Sequence, residues 1–220
     1  MQRTLLAVLP LLLVATPAFG AGRASARLEA SVGASWSKVG LTAAKITEPA
    51  PETSRVYAPG ARLALPSANF ALITAGTSFV IGDRWVIPLL QTSLGGVAGP
   101  SPTVAGTFDG DPARVNLRGA FRTDLGILGF GVRGNHRRWS GGIRAVPTAV
   151  IVANVRATVP NGFGTTELTM NTVYFGVRAE FEGCRRLDPV TRFCIVGAPS
   201  LFDGRPFNGF TFGFRMDLGL

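Results

Sequence analysis

The last eleven residues of the chain alternate between apolar side chains and small or polar ones. The apolar set is Phe210, Phe212, Phe214, Met216, Leu218 and Leu220, and the set between them is Thr211, Gly213, Arg215, Asp217 and Gly219. Successive side chains of a β-strand point to opposite faces, so a period of two places each set on one face of a single strand. The alternation predicts a strand with one wholly apolar face and one face that carries charges and glycines.

The same alternation recurs over residues 27–37, 115–125 and 172–181. In each segment, arginine and acidic residues share a face with small residues, whereas the other face is apolar. Opposite charges that pair among small residues are typical of a narrow, packed polar interior. The charged residues predicted to face this interior, or to line a pore through it, are Glu29, Arg118, Arg122, Asp124, Arg133, Arg144, Arg156, Arg178, Glu180, Arg215 and Asp217.

The composition favours a membrane protein over a soluble one. Charged residues make up 16% of the chain, against about 25% in a typical soluble protein. Lys38 and Lys45 are the only lysines. Apolar strand faces that turn toward lipid remove the need for a densely charged surface. A secreted soluble β-barrel that binds an apolar ligand in its interior is an alternative.

The membrane-crossing elements are expected to be strands. No run of about 18 apolar residues follows the first twenty, so no transmembrane helix is predicted. The three tryptophans fall near predicted strand ends, where a bilayer favours the amphipathic indole; they are Trp36, Trp85 and Trp139. We therefore expect an all-β, antiparallel up-and-down transmembrane β-barrel.

The first twenty residues have the three-part layout of a secretory signal peptide. Arg3 supplies the positive start, residues 5–15 form an apolar stretch, and Ala18 and Gly20 supply the small residues before a cleavage site. Residues 1–20 are therefore predicted to be a cleaved signal peptide, and residues 21–220 a single barrel domain. Without Arg3 the chain has a formal charge of +8. In an exported protein, this charge favours lipopolysaccharide or small anionic solutes as partners rather than nucleic acid.

Eight strands account for the alternation and place both chain ends on the periplasmic side of the barrel. They are predicted over residues 27–38, 67–81, 84–95, 113–133, 138–159, 166–182, 192–198 and 207–220. Turns at 82–83 and 134–137 would face the periplasm, and the long segments 39–65 and 96–112 would face outward. The parity of the apolar positions changes at 125–127, which predicts a β-bulge. Ten strands are an alternative, because residues 57–65 could form a further strand.

The final strand resembles the assembly signal of bacterial outer-membrane barrels, in which a polar residue, a glycine and two apolar residues follow a set spacing. Thr211, Gly213, Met216 and Leu218 fit these positions in order. The whole chain resembles small Gram-negative outer-membrane barrels of the OmpA-like and OmpW-like kind. The resemblance implies an outer-membrane location and recognition of this strand by the barrel-assembly machinery. The chain departs from the signal because it ends in leucine instead of phenylalanine or tryptophan.

The two cysteines, Cys184 and Cys194, are predicted to form a disulfide. In an oxidising compartment this bond would close the hairpin between the sixth and seventh strands. Two free thiols or a metal pair are the alternatives. The only histidine, His136, lies in a basic turn without a ligand cluster nearby in sequence, so no metal site is predicted.

No cofactor site or catalytic residue is predicted. His136 is expected to be a solvated turn residue, and the chain contains no Gly-x-Ser-x-Gly motif. Gly129, Gly131 and Gly134 match a dinucleotide-binding spacing. That motif requires a following helix, whereas the residues after Gly134 predict a turn and a strand, so the match is accidental.

The interior set provides the functional hypotheses. Seven arginines and four acids face the predicted interior, which would suit a narrow, porin-like pore that favours small anions. Eight-stranded barrels enclose little free volume, however, which favours a salt-bridged plug. We expect a non-enzymatic barrel with a structural, surface-interaction or narrow-pore role. A membrane-embedded hydrolase or acyltransferase that acts on lipid through His136 is the alternative from another class.

Overall fold

A computed structural model describes residues 26–45, 62–99, 103–108, 110–161, 164–202 and 205–220. These residues form eleven strands: β1 (Ala26–Lys45), β2 (Arg62–Ile81), β3 (Trp85–Val97), β4 (Thr103–Phe108), β5 (Asp111–Asn116), β6 (Phe121–Ile127), β7 (Phe130–His136), β8 (Trp139–Asn161), β9 (Gly164–Arg186), β10 (Thr191–Phe202) and β11 (Arg205–Gly219). No helix among the described residues is long and apolar enough to cross a membrane. The predicted signal peptide, residues 1–20, lies outside them.

The strands close into a ring because β1 pairs with β2 on one edge and with β11 on the other. Every pairing is antiparallel, and the order around the ring continues through β10, β9 and β8. β6 and β7 both pair with β3 on one side and β8 on the other, so together they form one stave. The ring therefore has eight staves, which confirms the predicted up-and-down barrel.

The break between β6 and β7 is the predicted bulge, found slightly further along the chain at Leu128 and Gly129. Ile127 and Phe130 are both exposed on the outer wall, although regular alternation would place them on opposite faces. Leu128 provides the change of parity because its backbone is left-handed, with a φ of 48°. The shift of one residue keeps the apolar face of this stave outward on both sides of the break.

The predicted loop 96–112 and the predicted single strand 113–133 are wrong in detail. β4 and β5 form a hairpin in this region, in which β4 pairs with β2 and β5 pairs with β8. The chain then turns before β6, where Ala120 N donates to Leu117 O at 2.9 Å. The hairpin therefore continues the wall between β2 and β8, beyond the point at which β3 finishes and β6 begins.

The first predicted loop, 39–65, is also shorter than expected. β1 continues to Lys45 and β2 begins at Arg62, and these extensions pair with each other. Residues 46–61 lie outside the described residues. Of the alternative strand 57–65, residues 62–65 belong to β2 and the rest lies outside the described part of the chain.

We call the barrel end at which β1 begins and β11 finishes the terminal end, and the opposite end the loop end. The turns at the terminal end are short: residues 82–84, 137–138 and 187–190. In the last of these, the Thr191 side chain and the Val190 amide donate hydrogen bonds to Asp188, and these bonds lower the pKa of its carboxyl group. Ordered turns of this kind fix the register of the staves on either side.

The interior is filled in two layers. Toward the terminal end most of the large buried side chains are charged, with Val80, Val86 and Val146 packed among them. Toward the loop end they are apolar and fully buried, and they include Val39, Phe70, Leu72, Phe108, Val115, Leu117, Val150 and Val152. The described interior is therefore packed and not hollow, as expected for a barrel of this circumference.

The outer wall is apolar on all eight staves. Val32, Ile73, Leu94, Leu125, Ile143, Phe175, Ile195 and Phe214 provide one example from each stave, and their exposure ranges from 45% to 70%. These side chains follow the period of two, so each alternates with an inward-facing residue. The polarity of the barrel is thus the reverse of that of a soluble domain, in which apolar faces point inward.

Candidate functional site

Eleven charged side chains are buried inside the barrel, most of them in its terminal half, and they form the candidate site. They are Glu29, Arg122, Asp124, Arg133, Arg144, Arg178, Glu180, Glu182, Arg192, Arg215 and Asp217. Each lies on the inward face of its strand, and together they come from six of the eight staves. Buried charges are stable only when they are paired, so the contacts among these groups determine what the interior can do.

Glu182 on β9 is the centre of the network. Its side chain is 0% exposed, and its carboxylate contacts three arginines on other strands: Arg133 on β7, Arg144 on β8 and Arg215 on β11. The distance from Arg133 Nε to Glu182 Oε1 is 3.1 Å. Arg215 also bonds Asp217 on its own strand, with 2.7 Å between Nε and Oδ1. A single carboxylate therefore ties together four strands of the wall.

Glu29 plays a similar part nearer the terminal end. Arg133 Nη1 lies 3.1 Å from its carboxylate, and Arg192 on β10 also contacts it. Arg27, which is partly exposed, donates to Glu29 at 3.1 Å and to Asp83 at 2.6 Å. The ion pairs thus continue from the buried network to the β2–β3 turn at the surface.

The upper part of the network is built on Arg178 and Asp124. Arg178 pairs with Glu180 at 3.1 Å and with Asp124 at 3.4 Å, and it donates to Gln91 Oε1 at 2.8 Å. Arg122 contacts both oxygens of Asp124, at 2.6 and 2.8 Å. This two-pronged pair is the strongest geometry available to an arginine and a carboxylate. In the strand register Asp124 and Arg122 lie opposite Val150 and Val152, so the pair borders the apolar layer.

Two residues predicted to face the interior are exposed instead. Arg118 follows the end of β5 and lies in the turn before β6, where the alternation is interrupted. Arg156 is 49% exposed and pairs at 3.8 Å with Glu167, which is 57% exposed. A register shift between Val152 and Val155 reverses the parity of β8 before Arg156. The other nine predicted interior residues have buried side chains.

Glu182 and Arg192 belong to the network but were not among the predicted interior residues. Glu182 has the same parity on β9 as Arg178 and Glu180, and Arg192 has the same parity on β10 as Cys194. Extending the alternation by one step at the ends of these strands would have identified both. With these changes the buried set has six arginines against five acids. The excess of cations that suited an anion-favouring pore is therefore much reduced.

Little space is left between the buried groups. One cavity of about 50 Å³ lies beside Gln91, Ser93, Arg178, Glu180 and Arg215. A second, of about 140 Å³, opens at the terminal end beside Arg27, Glu29, Arg186 and Arg192. Ligand pockets usually enclose about 300–1,000 Å³. Each of these two cavities has room for a few water molecules but not for an organic ligand.

The predicted disulfide between Cys184 and Cys194 is present. The two residues are directly opposite each other on β9 and β10, and both side chains are buried inside the barrel. The bond therefore joins two staves from within and does not close a surface loop. Cys194 Sγ also lies 3.5 Å from Asp217 Oδ2. Glu182 is close to these groups, but the sulfurs are bonded to each other and both carboxylates pair with arginines.

Replacing both cysteines with serine is expected to lower the free energy of unfolding by about 2–3 kcal/mol, because the bond restricts a short hairpin loop in the unfolded chain. The barrel should still fold, since β9 and β10 keep their main-chain pairing. Urea unfolding of the double variant, compared with oxidised wild-type protein, measures this loss. Reduced wild-type protein is the control and should be as stable as the double variant; a double variant as stable as oxidised wild type would show that the bond contributes nothing.

The remaining predicted positions are ordinary strand and turn residues. His136 is exposed at the end of β7, opposite Trp139 on β8. Among the described residues, no side chain hydrogen-bonds to its imidazole. In the predicted assembly signal, Thr211 and Gly213 face the interior, whereas Met216 and Leu218 lie on the outer wall. Gly129 lies directly before β7, Gly131 and Gly134 lie within it, and the element that follows is strand β8.

No protein-family model and no curated protein sequence matches this chain. Among solved structures, the crystal structure of Neisserial surface protein A is similar, with a TM-score of 0.46 and 8% sequence identity. The alignment covers 88% of this chain and 98% of that one. The closed ring and the buried network described above follow from the pairing and contacts of this chain alone.

Proposed function

We propose that this protein is a non-enzymatic outer-membrane barrel with a closed interior, which has a structural role and presents its loop end for surface contacts. The observation that carries the proposal is its reversed polarity: apolar side chains cover the outer wall of all eight staves, and eleven charges are buried inside. In a soluble protein, exposed apolar patches rarely exceed a few hundred Å². An apolar wall around the whole circumference is stable when lipid surrounds it.

The interior supports a plug in preference to an open pore. The buried arginines pair with acids on their own strand or on other staves, and a cluster of buried apolar side chains fills the loop end. A solute would have to break several buried ion pairs and displace the apolar layer to pass. Breaking one such pair typically costs about 3–5 kcal/mol. A narrow pore for small anions is therefore the less favoured role.

The terminal end is proposed to face the periplasm, because short turns on that side and longer segments on the opposite side are usual in single-chain outer-membrane barrels. The loop end would then face outward. Arg114, within the β4–β5 hairpin, and Arg118, just after it, are exposed there. They favour lipopolysaccharide as a partner on that surface, since its phosphates are anionic. The barrel-assembly machinery is the proposed partner of β11 during insertion.

The test begins with fractionation and a denaturing gel. We expect the protein in the outer-membrane fraction, with different migration before and after boiling, because a closed barrel in detergent stays folded until heated. Recovery in the soluble periplasmic fraction would instead support the soluble-barrel alternative and contradict the proposal.

Planar-bilayer recordings separate the plug from the pore. A packed interior is expected to give no steady single-channel conductance under a moderate applied voltage. Regular, anion-selective current steps would show that solutes pass and would overturn the closed interior while leaving the membrane location intact. The wild-type protein after boiling provides the control for currents that arise from bilayer defects.

A further inference from the structure

Four arginines project from one side of the terminal end, and we call them the arginine arc: Arg84, Arg137, Arg138 and Arg185. Arg84 ends the β2–β3 turn, Arg137 and Arg138 form the β7–β8 turn, and Arg185 lies near the end of β9. All four are exposed. They take no part in the buried network and have no role in the closed interior proposed above.

Main-chain contacts bring the four arginines together. Arg133 N on β7 donates to Arg84 O at 2.7 Å, and Arg186 N on β9 donates to Arg138 O at 2.7 Å. Trp139 on β8 lies opposite Arg185 on β9 in the strand register. The staves that carry the arc, β3, β7, β8 and β9, are therefore consecutive around the ring. The arc occupies about one half of the rim at this end.

Two tryptophans lie on the outer wall next to the arc, on the side toward the middle of the barrel. The Arg84 guanidinium carbon is 5.6 Å from the centre of the Trp85 ring, and the Arg185 carbon is 5.9 Å from that of Trp139. The tryptophans are 42% and 61% exposed. Trp85 also packs against Phe130, which is 56% exposed, with 5.4 Å between the ring centres. The apolar wall thus ends in aromatic rings capped by cations.

The arc has no acidic partners in the part of the chain that the structure describes. Asp83, the nearest acid in sequence, is bound by Arg27 at 2.6 Å. The opposite half of the same rim differs, because its turn and chain end expose Leu187, Val190 and Leu220 together with Asp188. Among the described residues, positive charge without an acidic partner is therefore concentrated on one side of this rim.

We infer that the arginine arc binds the phosphodiester headgroups of anionic phospholipids in the leaflet that surrounds the terminal end. The ligand must combine an anionic head with an apolar tail, because the arginines continue directly from the tryptophans and the apolar wall below them. Arginine forks bind phosphate oxygens in pairs, and tryptophan sits at the level of lipid headgroups. An acidic protein or polysaccharide would satisfy the charge but would leave the rings unoccupied. The inference rests on the proposed membrane location.

The test uses tryptophan fluorescence in vesicles of phosphatidylcholine that contain a small fraction of brominated lipid. Brominated phosphatidylglycerol is compared with brominated phosphatidylcholine, since bromine quenches only tryptophans that its lipid contacts. Trp36 lies on β1, away from the arc, so a W85F/W139F variant leaves one reporter outside it. Conversely, a W36F variant keeps only Trp85 and Trp139, the two tryptophans next to the arc, as reporters.

In the W36F protein, phosphatidylglycerol should quench more efficiently than phosphatidylcholine at equal content. Adding R84Q/R185Q should reduce this preference by about thirtyfold, since each of the two arginines contributes on the order of one kcal/mol near an anionic surface and about 1.4 kcal/mol corresponds to tenfold. The matched control, R114Q/R118Q at the loop end, should leave the preference unchanged. Heat-modified gel migration confirms that every variant is folded.

Equal quenching by the two lipids in the W36F protein, or a preference that survives R84Q/R185Q, would overturn the inference. A similar preference reported by Trp36 would also overturn it, because the binding would then be general to the barrel. If the protein is not in the membrane at all, neither brominated lipid should quench any tryptophan, which distinguishes this outcome from the others. Salt provides a further check, since binding through arginines should weaken as ionic strength rises.

Discussion

Replacing Glu182 with glutamine is expected to lower the free energy of unfolding by about 3–5 kcal/mol, the usual cost of removing one partner from a buried ion pair. The glutamine side chain has nearly the same shape, so packing is preserved. Its amide carries no charge, however, and Arg133, Arg144 and Arg215 then lose a shared counterion. Urea titration of the protein refolded in phosphatidylcholine vesicles, followed by tryptophan fluorescence, measures the loss.

Glu167 provides the matched control for this change. It also pairs with an arginine, Arg156, but both side chains are about half exposed. Glu167→Gln is expected to change the free energy of unfolding by less than about 1 kcal/mol, because water screens an exposed pair. Equal effects at the two positions would show that the interior is hydrated, and the plug would have to be abandoned.

Replacing Ile73 with arginine is expected to destabilise the barrel in a bilayer by about 2–4 kcal/mol, the cost measured for cations near the middle of the lipid-facing wall. Ile73 is 70% exposed on the outer wall, and its partners in the strand register are Ala34 and Leu94. Unfolding in vesicles gives the size of the effect. A soluble protein would accept arginine at so exposed a position with almost no change in stability.

Leu187→Arg is the control for position along the barrel axis. Leu187 is 57% exposed, but it lies in the β9–β10 turn at the terminal end. The cost of an added cation falls to about 0–1 kcal/mol near the bilayer surface. If Ile73→Arg were as harmless as Leu187→Arg, the outer wall would not lie in lipid.

Alternation predicted the staves well where one face is charged and the other is apolar. β9 and β11 are examples, because Arg178, Glu180, Arg215 and Asp217 show directly which face is inward. The bulge at Leu128 could also be predicted from the sequence, because the outward apolar positions are odd-numbered before it and even-numbered after it. In these strands the local pattern and the barrel require the same arrangement.

The misplaced arginines show where a local pattern is insufficient. Asn154 has a left-handed backbone, with a φ of 59°, next to the register shift that turns Arg156 outward. The Asn154 side-chain amide donates to Gly119 O, and its backbone N–H donates to the side-chain oxygen of Asn171. These partners lie 35 and 17 residues away in sequence. Periodicity within β8 carries no information about contacts at such distances.

The apolar upper layer was not predicted for a related reason. Phe70 and Leu72 on β2 are buried, whereas the next residue, Ile73, is exposed. On β8, Val150 and Val152 are buried on either side of the exposed Ile151. Where both faces of a strand are apolar, the sequence does not distinguish the face in lipid from the face in the packed interior. Only the closure of the ring separates the two.

The position of the disulfide has a consequence for the order of assembly. Cys184 and Cys194 are 1% and 0% exposed, and the sulfurs lie on the inner face of a closed wall. Thiol–disulfide exchange needs direct approach of one sulfur to another, so a protein oxidant cannot reach them after closure. The β9–β10 hairpin must therefore pair and become oxidised before β1 meets β11. An oxidised pair in the closed barrel therefore means that β9 and β10 met before the ring closed.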